Sequence, residues 1–226
     1  MKNLTITVDD SVLEWARIEA ARRGASVSRM VGDFMAEMQR REDAYERAYL
    51  AWRTDERSWR AEDGTPAAAG GAGDSAPPWP LDCAATVFVD VDVLVLAEDT
   101  SAGALHAHAL ACLDHLWRER AGRVSTQGLS AFYASVTGRA QRAMPQGDAR
   151  AAIRRYNSWT PWQVDAATLE TAWALQARHP LAWDDCLALA AAQHSGCTAL
   201  LSLHLPAGTQ YGGVQVAHPG SLQFAT

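Results

Sequence analysis

The chain of 226 residues contains a single lysine, Lys2; every other basic side chain is an arginine. It also lacks any excess of positive charge, with 20 Lys+Arg against 26 Asp+Glu and a formal net charge of −6. Neither part compensates: residues 1–82 hold 11 bases and 15 acids, and residues 83–226 hold 9 and 11. A protein that grips nucleic acid by charge alone is thereby excluded, and any such contact must come from local geometry. No apolar run is long enough to span a bilayer. The N-terminus shows no basic segment followed by an apolar stretch, so a cytoplasmic protein without a signal peptide is expected. The four cysteines, Cys83, Cys112, Cys186 and Cys197, form no C-x-x-C pair. That argues against zinc and for buried free thiols in a reducing compartment. Internal repeats are lacking as well.

What is present divides into parts. The stretch "GTPAAAGGAGDSAPPWP" (Gly64–Pro80) is rich in Gly, Ala and Pro and has no period, which predicts a flexible linker over residues 63–82. Before it, Leu4, Ile6 and Val8 alternate with Asn3, Thr5 and Thr7, the pattern of a two-faced strand. Asp9 or Asp10 is placed to cap a helix from about Ser11 to Arg23, Gly24 stops it, and Ser26 caps a second helix. One strand and two short helices cannot bury a core alone, and the simplest partner for a lone strand is its own copy.

This strand–helix–helix order over residues 1–40 resembles the ribbon-helix-helix repressors and antitoxins of the CopG/Arc type. The resemblance implies a homodimer or higher assembly built on paired strands. Lys2, Asn3, Thr5 and Thr7 would then enter the major groove of operator DNA. Ser28 and Arg29, in the first turn of the second helix, would meet a phosphate. A plain dimerisation module whose polar strand face meets water is the alternative, since residues 1–40 hold six bases and six acids.

Residues 41–62 form the next part. Tyr45, Tyr49, Trp52 and Trp59 share one helical face at spacings of 4, 3 and 7, and a four-aromatic stripe needs cover. In two-part antitoxins the tail after the DNA-binding module wraps the toxin. That likeness predicts a helical tail docked on the C-terminal part, in cis or in a neighbouring chain, with Arg53, Arg57 and Arg60 placed to reach an acidic pocket. A helix that merely lengthens the dimer is the alternative.

Residues 83–226 alternate strands and helices, which predicts an α/β fold with a parallel sheet covered on both faces. "ATVFVDVDVLVLA" reads as a buried strand. Within it, Asp90 and Asp92 would lie about 6.6 Å apart on one face, close enough to repel unless a cation neutralises them. A hard divalent ion suits such a pair; the bland alternative is that one aspartate caps the next turn and the other is solvated.

Four stretches, "FVDVDVLV", "STQGLSAFYASVTGRA", "LAWDDCLALAAAQHSGCTALLSLHL" and "YGGVQVAHP", resemble in order and spacing the PIN-domain ribonucleases, specifically VapC-like toxins. The resemblance implies three to four acids holding Mg2+ or Mn2+, which activates water for attack on an RNA phosphodiester. The first acid falls on Asp90, the usual Asn on Asp92, and the helical acid on Asp184 after Trp183, with Asp185 as an extra acid. Two acids are missing. Ala131 stands where the family places Glu, and Leu203 and His204 stand where it places its last acidic pair. Asp92, Asp185 and His204 are possible substitutes, although an idle loop histidine is the preferred reading of His204. With two carboxylates lost, metal binding is expected to be weak or absent. A fused toxin–antitoxin-like protein with an impaired nuclease, a pseudoenzyme, follows from the resemblance. The alternatives are an active metal-dependent endoribonuclease with a rearranged acidic site, and a scaffold with neither activity.

Overall fold

A computed structural model describes residues 5–61, 79–80, 85–139 and 142–223. Two compact units divide the chain, Met1–Arg47 and Ala48–Thr226. The division falls inside a helix, seven residues beyond the boundary expected at position 40.

In the N-terminal unit, α1 spans Asp10–Arg22 and follows Asp9, whose side chain makes no capping hydrogen bond. Gly24, at φ +62°, takes the left-handed conformation that ends it. Ser26 then caps α2, Val27–Arg53, its hydroxyl accepting from Arg29 N at 3.2 Å. The expected strand is not formed within one chain: Thr5–Val8 has no strand pairing and is exposed, because no second strand is available to satisfy its backbone. Lys2 and Asn3 lie outside the described residues. Ala16 and Ala20 are buried, while Ile6, Val8, Val12, Trp15, Ile18, Phe34, Met35 and Met38 are exposed.

The C-terminal unit is built on a five-stranded sheet in the order β3-β2-β4-β6-β5. Its strands are β2 (Val87–Val89), β3 (Gly122–Arg123), β4 (Ala199–Leu201), β5 (Gln210–Tyr211) and β6 (Val214–Ala217). The first four positions in that order are parallel; β5 is antiparallel to β6. Gly212 and Gly213, both at positive φ, make the two-residue turn of that hairpin. The segment Trp79–Pro80 (β1) pairs in parallel with Leu222–Gln223 (β7). The part of the expected linker that is described is therefore strand; the remainder lies outside the described residues.

Along β2, Phe88 packs with Leu200, Val216 and the helices α7 (Ala166–Arg178) and α8 (Trp183–His194). Val87 and Val89 point to the opposite face and are equally buried. Both faces are thus covered, as a parallel sheet requires. Ala190, Ala191 and Ala192 in α8 are fully buried, and their small side chains let that helix lie close on the sheet. The other helices are α3 (Val91–Glu98), α4 (Ala104–Arg118), α5 (Thr126–Thr137) and α6 (Gln146–Tyr156). Trp117 of α4, Tyr156 and Trp159 cluster with ring centroids 5.0 to 6.2 Å apart.

The long buried strand read from "ATVFVDVDVLVLA" is corrected. The strand stops at Val89, and the apolar run continues as α3. A short run of β-branched residues without clear period fits either element. Asp90 decides the outcome: its carboxylate caps the helix by accepting from Val91 N at 2.8 Å.

The tail of the N-terminal helix belongs to the C-terminal unit from Ala48 onward. Tyr49 stacks on Trp117 at 6.0 Å and donates to Asp114 at 3.0 Å. Trp52 lies 6.3 Å from Trp117. Trp59 is buried, bridges to Asp99, and donates from Nε1 to the Arg142 carbonyl at 2.9 Å. These contacts are made by the tail of the same chain. Among the described cysteines, Cys112, Cys186 and Cys197 are free and buried; Cys83 lies outside the described residues. No helix among the described residues is long and apolar enough to cross a membrane.

Candidate functional site

Parallel α/β sheets bind ligands beyond the carboxyl ends of their strands. Asp90 lies just beyond β2 and Ser202 just beyond β4, joined by a hydrogen bond from Asp90 N to the Leu201 carbonyl at 2.9 Å. Asp90 is buried and Ser202 fully so. Burial, followed by the nearby Asp92 carboxylate, pushes the Asp90 carboxyl up to about 7; the Val91 N–H and the Ser202 hydroxyl pull it down.

Asp92 sits in the first turn of α3, so it does not share a strand face with Asp90. Its Oδ1 accepts from Val93 N at 2.6 Å. Its Oδ2 accepts from Leu203 N at 2.6 Å and the Ser202 hydroxyl at 3.5 Å, and lies 3.1 Å from His204 Nδ1. The Asp92 side chain is 8% exposed. Of the bland alternatives, capping holds for Asp90 and solvation fails for Asp92.

His204 is not an idle loop residue. Its hydrogen bond with Asp92 pushes the imidazole up to about 9, against partial burial. Its backbone N–H donates to the Ser202 hydroxyl at 3.3 Å. The loop is anchored further by Ser202 N to the Ala217 carbonyl at 3.1 Å and by His218 Nε2 at 3.2 Å from the Leu203 carbonyl.

Asp184 and Asp185 both lie in the first turn of α8, but they separate by side. Asp184 is exposed; Asp185 is half-buried and interacts with Asp92, Asp90 and His204. Burial pushes Asp185 upward, and His204 opposes that shift. The structure therefore brings together Asp90, Asp92, Asp185 and His204, and leaves Asp184 outside. The helical period held the clue: Asp185, not Asp184, precedes the buried run Cys186 and Leu187. Ala131 is exposed on α5 and supplies no donor. Ser202 was missed by sequence reasoning, since a serine in an apolar run carries no signal until its burial is known.

At Asp92, Oδ1 accepts one hydrogen bond and keeps a lone pair, whereas Oδ2 is held by the Leu203 N–H, the Ser202 hydroxyl and the His204 ring together. No group of three or more His, Cys, Asp or Glu side chains among the described residues is arranged to hold a metal.

The tail's arginines do not reach this cluster. Arg57 pairs with Asp55 at 2.5 Å and with Asp148 at 2.8 Å. Asp55 also pairs with the buried Arg155, which reaches Glu98 at 3.4 Å. Arg57, Asp55, Arg155 and Glu98 border a cleft of 540 Å³ that includes Trp52, Arg53 and His106 but none of the clustered acids. Arg60 is exposed. Among the DNA-contact candidates, Thr5, Thr7 and Ser28 are exposed, and Arg29 lies 3.9 Å from Asp33. Compared with known proteins, the chain matches no family model and no curated sequence.

Proposed function

We propose that the chain is a fused toxin–antitoxin-like protein. Its N-terminal unit pairs with a second copy through the Thr5–Val8 ribbon and contacts operator DNA through Thr5, Thr7, Ser28 and Arg29, with Lys2 and Asn3 beside them. Its PIN-like unit has lost metal-dependent ribonuclease activity. The observation that carries the reading is the acidic cluster itself, which holds Asp90, Asp92 and Asp185 but is completed by a histidine, while the resemblance sets an acid at position 131, where this chain has alanine. Hydrolysis of a phosphodiester by a metal-activated water depends on that full donor set.

Pairing of the N-terminal unit is supported by composition and exposure together. A unit of 47 residues with Ala16 and Ala20 as its buried apolar residues cannot be stable on that core. Eight large apolar side chains stand exposed on it, and a second copy offers the same surface in return.

RNA cleavage by the full chain in Mg2+ and in Mn2+, beside an Asp90→Asn control, tests the nuclease half. No cleavage in either metal is expected; cleavage that disappears in the control refutes the reading and favours the active endoribonuclease. For the other half, Thr5→Ala with Thr7→Ala should abolish operator binding, and binding left intact refutes the ribbon.

A further inference from the structure

We propose that His204 is a built-in plug of the acidic cluster: its imidazole holds the Asp92 oxygen that a divalent ion would need, and so closes the cluster to such ions. The proposal rests on the PIN-like reading above and names the residue responsible for the missing metal site.

Three observations support it. First, the contact is oriented from both sides. The Leu203 N–H, at 2.6 Å, and the His204 ring, at 3.1 Å, converge on Asp92 Oδ2. The next backbone N–H, of His204 itself, is tied to the Ser202 hydroxyl. The loop that delivers the imidazole is thus fixed by its own hydrogen bonds and by Ala217 and His218. Second, with the imidazole in place the Asp92 side chain is 8% exposed, while the imidazole itself is 69% exposed and forms the solvent side of the contact. Third, His204 faces acids from each element around it: Asp90 and Asp92 from the start of α3, and Asp185 from the start of α8. A cation binding at Asp92 Oδ2 must displace the ring from that oxygen.

Mn2+ binding to the full chain, read from the loss of the free-ion paramagnetic resonance signal, tests the plug without any assay of cleavage. The unmodified chain is expected to leave the signal unchanged. His204→Asp, which replaces the ring by a fourth carboxylate, is expected to bind Mn2+ at least about tenfold more tightly. Asp90→Asn added to that variant should remove the gain. His204→Ala serves as a second opening of the same position and should bind between the two. Saturable Mn2+ binding by the unmodified chain that Asp90→Asn abolishes overturns the proposal. So does a failure of both His204 variants to gain binding while their circular dichroism stays that of the unmodified chain. The two readings fail separately: Mn2+ binding without cleavage removes the plug and keeps the lost nuclease, and metal-free cleavage does the reverse.

Discussion

Removing the Trp59 ring measures what the docked tail contributes. The indole is 9% exposed, its Nε1 donates to the Arg142 carbonyl at 2.9 Å, and the Arg139 guanidinium lies 5.4 Å from its ring centre. Burying a tryptophan removes about 150–250 Å² from water, or about 4–6 kcal/mol at about 25 cal/mol per Å². A compact unfolded chain already hides part of that area, so the figure is an upper bound. The lost hydrogen bond adds about 1 kcal/mol. Trp59→Ala should therefore destabilise the C-terminal unit by about 3–5 kcal/mol. With a urea slope of about 2 kcal/mol per molar, the midpoint of its unfolding should fall by about 2 M. Circular dichroism of the full chain reads this directly. A midpoint that moves by less than about 0.3 M, the size of a surface substitution, refutes docking in cis. Trp59→Phe keeps an aromatic body and loses the N–H, so its cost should be the smaller of the two.

Other substitutions probe the core and the cluster. A Cβ added at Gly122 would lie 2.6 Å from the Trp159 ring, so Gly122→Ala should cost about 1–3 kcal/mol in the same unfolding assay. His204 has a folded pKa raised from 6.5 to about 9, so its contribution is complete below about 6.5 and is lost as pH rises through about 9. The unmodified chain should therefore lose stability across that window and His204→Gln should not; parallel urea midpoints from pH 6 to 10 contradict the pairing. Asp90 is raised from 3.8 to about 7, so its ionised form is the disfavoured one and stability falls as pH climbs between those values. Asp90→Asn should then raise the unfolding free energy at pH 8 by at least about 1.4 kcal/mol, the worth of one pKa unit, and by less at pH 5. Trp15→Arg, on the exposed apolar face, should shift the full chain to monomer in sedimentation if that face is covered by a second copy.

The alternation of strand and helix was legible in the sequence, and with it a parallel sheet with both faces covered. So were the Ser26 cap, the stop at Gly24 and the aromatic pair Tyr49 and Trp52; the helix expected to carry Trp59 ends at Arg53, and Trp59 is seated instead by an extended segment bridged to Asp99. The passage at Val89 was not. "VDVLVLAE" is apolar at nearly every position because α3 is buried widely, and such a run carries neither a period of two nor one of 3.6. Asp90 was legible as a candidate because a carboxylate at a strand end is conspicuous. That Asp185 rather than Asp184 turns toward Asp90 and Asp92 was not legible, because adjacent helical residues differ by about 100° in direction, which only packing resolves. His204 looked idle because its partner, Asp92, lies more than a hundred positions away in the chain. The N-terminal alternation, read as a strand, makes no strand pairing at Thr5–Val8 within one chain.

Helix α3 has the acidic cluster at one end and the tail's seat at the other. Asp90 caps its start, and Asp99, just past its end, accepts from Ala61 N at 3.0 Å while Thr100 N donates to the Trp59 carbonyl. At eight residues it is about 12 Å long, barely two turns, too short to melt from one end while the other holds. Its amides should therefore exchange with solvent as a single cooperative group. Loosening the tail at Trp59 should speed exchange at Leu94, whose amide bonds the Asp90 carbonyl at 3.3 Å.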